Sequence, residues 1–206
     1  MESILTFECK IDEAYIDEQI TLFRNDVLNN HVHIVHKHIL SGIPFYFRED
    51  IDKYIELKKE ISSFFKVNLS EIILVGSARL GFSIAPGKRF NKFNLASDID
   101  VAVISNDIFN LFWNELFRWY DKYTSWNTKK QKDEFCNYLF QGWVRPDKMP
   151  NEFPLKKEWN KFFNELTSDR LFGVNSIKVG LYKSWDHLEA YHEQNVKNIR
   201  NEIWRG

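Results

Sequence analysis

Two acidic residues near the middle of the chain, Asp98 and Asp100, most constrain what its 206 residues can fold into. Apolar segments at residues 71–75 and 98–104 predict two short buried strands, the second of which begins at these acids. Because strand side chains alternate between faces, both carboxylates lie on one face while Ile99 points into the core. Two carboxylates about 6 to 7 Å apart are hard oxygen ligands of the kind that Mg²⁺ prefers.

A small-residue turn follows the first predicted strand. Gly76 and Ser77 are expected to open a short helix over residues 77–82, and backbone N–H groups at such a turn can bind a phosphate. Alone, a Gly-Ser pair is typical of an ordinary turn, and paired acids are typical of a solvated strand end. Together they predict a metal ion beside a phosphate, the arrangement used for phosphoryl or nucleotidyl transfer.

These motifs resemble the signature of a known superfamily. Gly76, Ser77, Gly81 and the run SDIDVAV over residues 97–103 are similar to the motif of DNA polymerase β-like nucleotidyltransferases. The resemblance covers residues 49–104 well and the remainder only by the order of the predicted elements. It implies an α/β fold in which a small mixed sheet is flanked by helices.

The resemblance also implies a function. Asp98 and Asp100 would be the catalytic, Mg²⁺-binding acids, and Gly76 and Ser77 would hold the phosphates of an NTP such as ATP. An acceptor hydroxyl would attack the α-phosphorus and release pyrophosphate. The acceptor is left open between RNA, protein and a second nucleotide. Small stand-alone bacterial members suggest a toxin–antitoxin or phage-defence setting, by analogy alone.

The chain departs from the family at its third acid, which usually lies on a later strand. Residues 175–182 alternate and predict that strand, but Lys178 occupies the face where the acid is expected. Lys178 is therefore predicted to reach Asp98, Asp100 or a bound phosphate, and to limit the site to one tightly bound metal. Three interpretations stay open: an enzyme, a catalytically silent nucleotide- or partner-binding module of the same fold, and a structural interaction protein with an accidental motif.

Cations near the turn have two interpretations each. Arg79 is either a surface helix residue or a ligand of an acid or the triphosphate. The basic loop at residues 86–94 is either a mobile surface loop or a grip on phosphates. The side chains concerned are Lys88, Arg89 and Lys92 for phosphates, and Phe90 or Phe93 as stacking surfaces. A separate group of histidines lacks metal-like spacing, which favours a solvated or packed helix face over a metal site. These histidines are His31, His33, His36 and His38.

Composition narrows the setting. The net charge of −1 gives no overall preference for nucleic acid, and Cys9 and Cys136 are too few for a disulfide framework. No apolar run reaches the length of a membrane span, and the first residues lack the pattern of a signal peptide. We therefore expect a cytoplasmic protein with no membrane partner.

The apolar periodicity predicts mostly helices around the strands. The expected helices are residues 12–30, a stretch ending near residue 40, residues 51–65, a long helix capped by Asn106, and residues 155–166 and 184–204. The polar segment 124–154, with three prolines at its end, is expected to be a loop or insertion. This predicts a helical extension over residues 1–48 and a core over residues 49–206 with an insertion near 124–170.

Overall fold

A computed structural model describes residues 7–30, 33–120, 126, 128–168, 171–173 and 176–205, and confirms a mixed α/β fold. The helices are α1 (Glu13–Leu28), α2 (Ile51–Phe65), α3 (Gly76–Leu80), α4 (Asn106–Tyr120), α5 (Lys129–Phe140), α6 (Pro154–Ser168) and α7 (Trp185–Arg205). The strands are β1 (Ile72–Val75), β2 (Ile99–Ile104), β3 (Trp143–Val144) and β4 (Ile177–Tyr182). None of the helices in these ranges combines the length and the apolar character that crossing a membrane requires.

The four strands form one mixed sheet in the order β1-β2-β4-β3. β2 pairs antiparallel with β1 and parallel with β4, and β3 pairs antiparallel with β4. A parallel pair needs a long crossover, which the chain between β2 and β4 provides. The register sets Val75 opposite Asp100 and Asp100 opposite Lys178. The two motifs and Lys178 therefore meet across three neighbouring strands.

Both faces of the sheet are covered, which explains why β2 is apolar almost throughout. On one face Val101 and Val103 belong to the larger core, which also takes buried side chains from α2, α4 and α6. On the other face Ala102 and Ile104 pack with Leu188 of α7. Asp100 shares this second face by strand alternation. It therefore lies where the apolar layer under α7 ends.

Helix starts follow ordinary capping chemistry. The side chain of Asp12 accepts a hydrogen bond from the Tyr15 N–H at 3.0 Å, and Asp50 accepts from the Lys53 N–H at 2.9 Å. At α4 the cap is Ser105, whose Oγ accepts from the Ile108 N–H at 3.4 Å. The prediction that Asn106 is the cap is wrong by one position, because the hydroxyl before it takes that role.

The prediction of a loop over residues 124–154 is wrong for residues 129–140 and 143–144, which form α5 and β3. Thr128 caps α5 by accepting from the Gln131 N–H at 3.0 Å, and Phe135 and Leu139 form its buried stripe. After α5, Trp143 begins the edge strand β3. Two buried apolar residues one turn apart are enough to fix this helix, although its overall composition is polar.

Other predicted elements are confirmed with small changes in their ends. The stretch expected to end near residue 40 finishes in a π-helical turn, His36–Leu40, closed by a bond from the Ser41 N–H to the His36 carbonyl at 3.0 Å. The expected start of the third strand at residue 175 lies outside the described residues, as does His31. The division at residue 48 and the insertion near 124–170 stay predictions.

Candidate functional site

The two acids lie at the start of β2 and share one environment, as the alternation predicts. Asp98 immediately precedes β2, and Asp100 is its second residue. Burial removes water from the Asp100 carboxyl, and the neighbouring Asp98 charge repels its ionised form, so its pKa rises from 3.8 to about 6. The site therefore holds a carboxyl whose negative charge is poorly compensated.

The glycine turn lies directly against this carboxyl. Gly76 begins α3 with φ of +67°, a left-handed conformation that glycine adopts without steric cost. A Cβ at this position would lie 2.7 Å from Oδ2 of Asp100, closer than real contacts allow. Ser77 follows at a partly buried position. Only a glycine lets the backbone turn and the second acid come this close.

Lys178, on β4, contacts the first of the two acids. Its Nζ donates a hydrogen bond to Oδ2 of Asp98, forming an ion pair. This confirms the prediction that the ammonium reaches one of the two acids. In the chain segments described above, no group of three or more acidic, histidine or cysteine side chains is arranged to hold a metal. At the position opposite Asp100 the site therefore has a cation rather than a third carboxylate.

Two further cations act on Asp100. The charges of Arg145 and Lys88, together with that of Lys178, oppose the rise of its pKa. Arg145 is held in place by Asp147, with Nε–Oδ1 and NH2–Oδ2 distances of 3.1 and 2.9 Å. Arg145 was not predicted from the sequence, because only the pairing of the short strand β3 with β4 brings it near the acids.

An aromatic cluster holds Arg145 from the other side. Its guanidinium carbon lies 4.9 Å from the ring centre of Tyr138 and 5.2 Å from that of Trp143. Trp143 stacks on Tyr182 with ring centres 5.2 Å apart and an angle of 10°, and lies 4.5 Å from Tyr191. The charge of Asp100 acts on two members of this cluster, Tyr182 and Tyr191, so the cluster lies near that acid.

A groove of about 520 Å³ adjoins the cluster along α7. Tyr191 belongs both to the cluster and to the groove, whose other polar side chains include Gln141, Gln194 and Asn195. Asp186 and His187 line the groove as well, so it offers carboxamides, a carboxylate and an imidazole as hydrogen-bonding groups.

Arg79 does not join the two acids. Its side chain is buried, with Nε donating to the His38 carbonyl at 3.2 Å and NH1 donating to the Gly42 carbonyl at 2.9 Å. Burial also lowers its pKa from the usual value. The interpretation of Arg79 as a surface residue is wrong, and its described hydrogen bonds anchor the segment before α2. A role in nucleotide binding stays a prediction without a contact that supports it.

Of the three cations in the basic loop, Lys88 is the one whose charge acts on Asp100. Arg89 instead pairs with Glu202 of α7, and Lys92 donates to Asp17 of α1 at 2.8 Å. The stacking prediction for Phe93 is wrong, because this side chain is only 1% exposed and belongs to the core. Lys88 is exposed, whereas Phe90 is partly buried and packs toward Phe82.

The described histidines of the N-terminal segment have other partners. Nε2 of His38 lies 2.6 Å from Oδ2 of the buried Asp26, which Lys37 also contacts at 2.6 Å. Nε2 of His36 lies 3.5 Å from Glu189. His38 and Asp26 thus tie the π-helical turn to α1, a pairing that residue spacing did not predict.

The donor set at Asp98 and Asp100 fits one divalent cation. Mg²⁺ keeps several waters and usually takes one or two protein carboxylates together with phosphate oxygens. The two adjacent carboxylates supply that number, and burial together with the Asp98 charge raises the pKa of Asp100 although Lys178 lies nearby.

Comparisons with known proteins give no match to a family model, to a curated protein or to a solved structure. The functional assignment therefore depends on the residues and the geometry of the site itself.

Proposed function

We propose that this protein binds Mg²⁺ and a nucleoside triphosphate at Asp98 and Asp100 and transfers the nucleoside monophosphate to an acceptor hydroxyl. The observation that carries the proposal is the close approach of Gly76 to Asp100, 2.7 Å from a Cβ built on the glycine to Oδ2 of the acid. A backbone that must pass this close to a carboxylate suits a ligand in which phosphate and metal are adjacent. The resemblance to DNA polymerase β-like nucleotidyltransferases supports the same reading.

In this proposal each group of the chain has a separate task. The turn at Gly76 and Ser77 donates backbone N–H groups to phosphate oxygens, while Asp98 and Asp100 hold the Mg²⁺. Mg²⁺ held by these two acids would supply positive charge against the phosphates. Lys88 and Arg145 add positive charge beside them. These contacts hold the α-phosphorus in line with an attacking hydroxyl.

The covalent change is a substitution at phosphorus. The acceptor oxygen forms a bond to the α-phosphorus, the bond to the bridging oxygen breaks, and pyrophosphate leaves while the hydroxyl proton passes to solvent. The groove beside Tyr191 is a candidate surface for the acceptor, because its carboxamides, Asp186 and His187 can form hydrogen bonds with the polar groups of an acceptor. RNA, protein and a second nucleotide all carry suitable hydroxyls. A cytoplasmic role in phage defence or a toxin–antitoxin pair is proposed by analogy alone.

The ion pair between Lys178 and Asp98 favours a second candidate function. An ammonium on a metal-binding carboxylate reduces the attraction for a divalent cation. A protein with this contact can bind a nucleotide or a partner without chemistry, and act by occupancy.

Nucleotide binding and turnover distinguish the two. The protein is incubated with Mg²⁺ and each of the four radiolabelled NTPs, with total RNA, the protein itself or unlabelled NTP as acceptor. Mg²⁺-dependent binding is measured by calorimetry in parallel. Asp98→Asn and Asp100→Asn should abolish both signals, whereas Asp133→Asn, an exposed acid on α5, should leave them unchanged. Binding without label transfer would support the silent module, and no Mg²⁺-dependent binding at all would refute both.

A further inference from the structure

One of the two acids already has a cation on it. Nζ of Lys178 donates to Oδ2 of Asp98, whereas the same ammonium acts on Asp100 as a nearby charge. A metal ion bound between the two carboxylates would need the same face of Asp98. The ammonium and the metal therefore compete for one carboxylate.

The ammonium can leave Asp98 without disturbing the fold. The Lys178 side chain is 61% exposed and that of Asp98 is 34% exposed. The backbone on either side is fixed, because Ile177 and Val179 are buried and β4 is paired along its length with β2. Exposed ion pairs contribute little, and the lysine stem is flexible, so the ammonium is easily exchanged between partners.

The other cations around Asp100 are less suited to exchange. Arg145 is fixed by two hydrogen bonds to Asp147 and by contacts with two aromatic rings. Lys88, on the exposed loop between the turn and the acids, acts on Asp100 only as a nearby charge, whereas the described ion pair of Asp98 is with Lys178. Lys178 lies on β4, directly across β2 from β1 and Gly76. Asp100 lies against Gly76 and opposite Lys178, so a phosphate held at the turn and the ammonium would flank the same acid.

We propose that Lys178 exchanges its ammonium between Asp98 and a bound phosphate group, so that metal and phosphate bind cooperatively. This inference rests on the proposed function and adds that the binding of metal and the binding of phosphate at the same site depend on each other. Metal alone must displace the ammonium and binds weakly. A phosphate draws the ammonium away from Asp98 and frees that carboxylate for the metal. Because such coupling is reciprocal, the metal strengthens phosphate binding by the same factor.

The test measures binding of Mn²⁺, followed by its paramagnetic resonance signal, in the absence and presence of inorganic phosphate. Orthophosphate is the probe because it complexes free Mn²⁺ only weakly. We expect phosphate to tighten Mn²⁺ binding to the unmodified protein about fivefold, the factor that an exposed ion pair of ~1 kcal/mol would give. In Lys178→Met, Mn²⁺ alone should bind about fivefold more tightly, and phosphate should add little.

The matched control is Lys183→Met, which removes a lysine just after β4 and should behave as the unmodified protein. Circular dichroism confirms that both variants are folded. Equal Mn²⁺ affinity of Lys178→Met and the unmodified protein in the absence of phosphate would overturn the inference. The inference would also be overturned if Lys178→Met bound Mn²⁺ while the unmodified protein did not bind it even with phosphate, because Lys178 would then replace the metal permanently.

The failure of this inference and that of the proposed function give different results. If Asp100→Asn abolishes binding of Mn²⁺ with a non-hydrolysable NTP while Lys178→Met changes no coupling, only the exchange is wrong. If the unmodified protein and Lys178→Met both bind neither metal nor NTP, the site assignment itself is wrong and the exchange falls with it.

Discussion

Replacing Gly76 with alanine is the most direct perturbation of the proposed site. The change adds one methyl group at a residue with φ of +67°, and that methyl would lie 2.7 Å from Oδ2 of Asp100. Two costs follow, one from the backbone and one from the contact. Since the second falls on the carboxylate that is proposed to bind metal, it should affect ligand binding as well as stability.

The size of each cost follows from the geometry. A non-glycine residue in the left-handed region costs about 1 kcal/mol. Displacing the partly buried Asp100 carboxyl against packed strands adds about 1 to 2 kcal/mol. The total of about 2 to 3 kcal/mol should lower the urea midpoint by about 1 M for a domain of this size. Binding of Mg²⁺ with a non-hydrolysable NTP should weaken by about tenfold or more, because the acid is no longer in place.

Gly87→Ala separates the two costs. Gly87 has φ of +75°, so it has the same backbone conformation, but a Cβ there meets nothing within 4 Å. This control should lose only the first ~1 kcal/mol and should bind the nucleotide normally. Urea unfolding and calorimetry of the three proteins supply both readouts. Equal destabilisation of the two variants, or a folded Gly76→Ala that binds like the unmodified protein, would refute the reasoning.

Three further changes test the charges around the site and in the core. The pKa of Asp100 is raised to about 6, so its contribution to stability is full below pH 3.8 and is lost as the pH rises through 6. Without metal, Asp100→Asn should therefore be more stable to urea unfolding than the unmodified protein by ~2 kcal/mol at pH 8. At pH 4 the two proteins should be equally stable. His192 is buried with no hydrogen-bond partner in the described part of the chain, and burial lowers its pKa to about 4. The contribution of neutral His192 to stability is present above pH 6.5 and is lost as the pH falls through 4. His192→Phe should therefore be up to ~3 kcal/mol more stable than the unmodified protein at pH 4, with no gain from titration at pH 8. A stability difference that stays constant across this pH range would contradict this prediction. Arg145→Gln should weaken NTP binding several-fold, about 1 kcal/mol, while Arg118→Gln, an exposed ion-paired residue on α4, should not, and equal calorimetric affinities would exclude Arg145 from the site.

The sequence determined the local parts of this site. Strand side chains alternate with a period of two, so the facing of Asp98, Asp100 and Lys178 could be read from the apolar residues between them. A glycine after an apolar strand marks a turn that needs a left-handed residue, and Gly76 adopts one. Periodic apolar residues likewise predicted α1, α2 and α6. Each of these inferences depends on neighbours within one or two turns of the chain.

Only the tertiary structure decided which distant residues join them. The charge of Arg145 acts on Asp100 because β3 pairs with β4. The sequence did not predict that pairing, since β3 lies in a segment expected to be a loop or insertion. Arg79 lies next to the motif in sequence, yet burial directs its donors to the carbonyls of His38 and Gly42. Strand order and side-chain burial depend on the packing of the whole chain, since a residue's partners are chosen by the elements that cover it. Local periodicity therefore identifies the acids and the turn, while packing selects the cations that surround them.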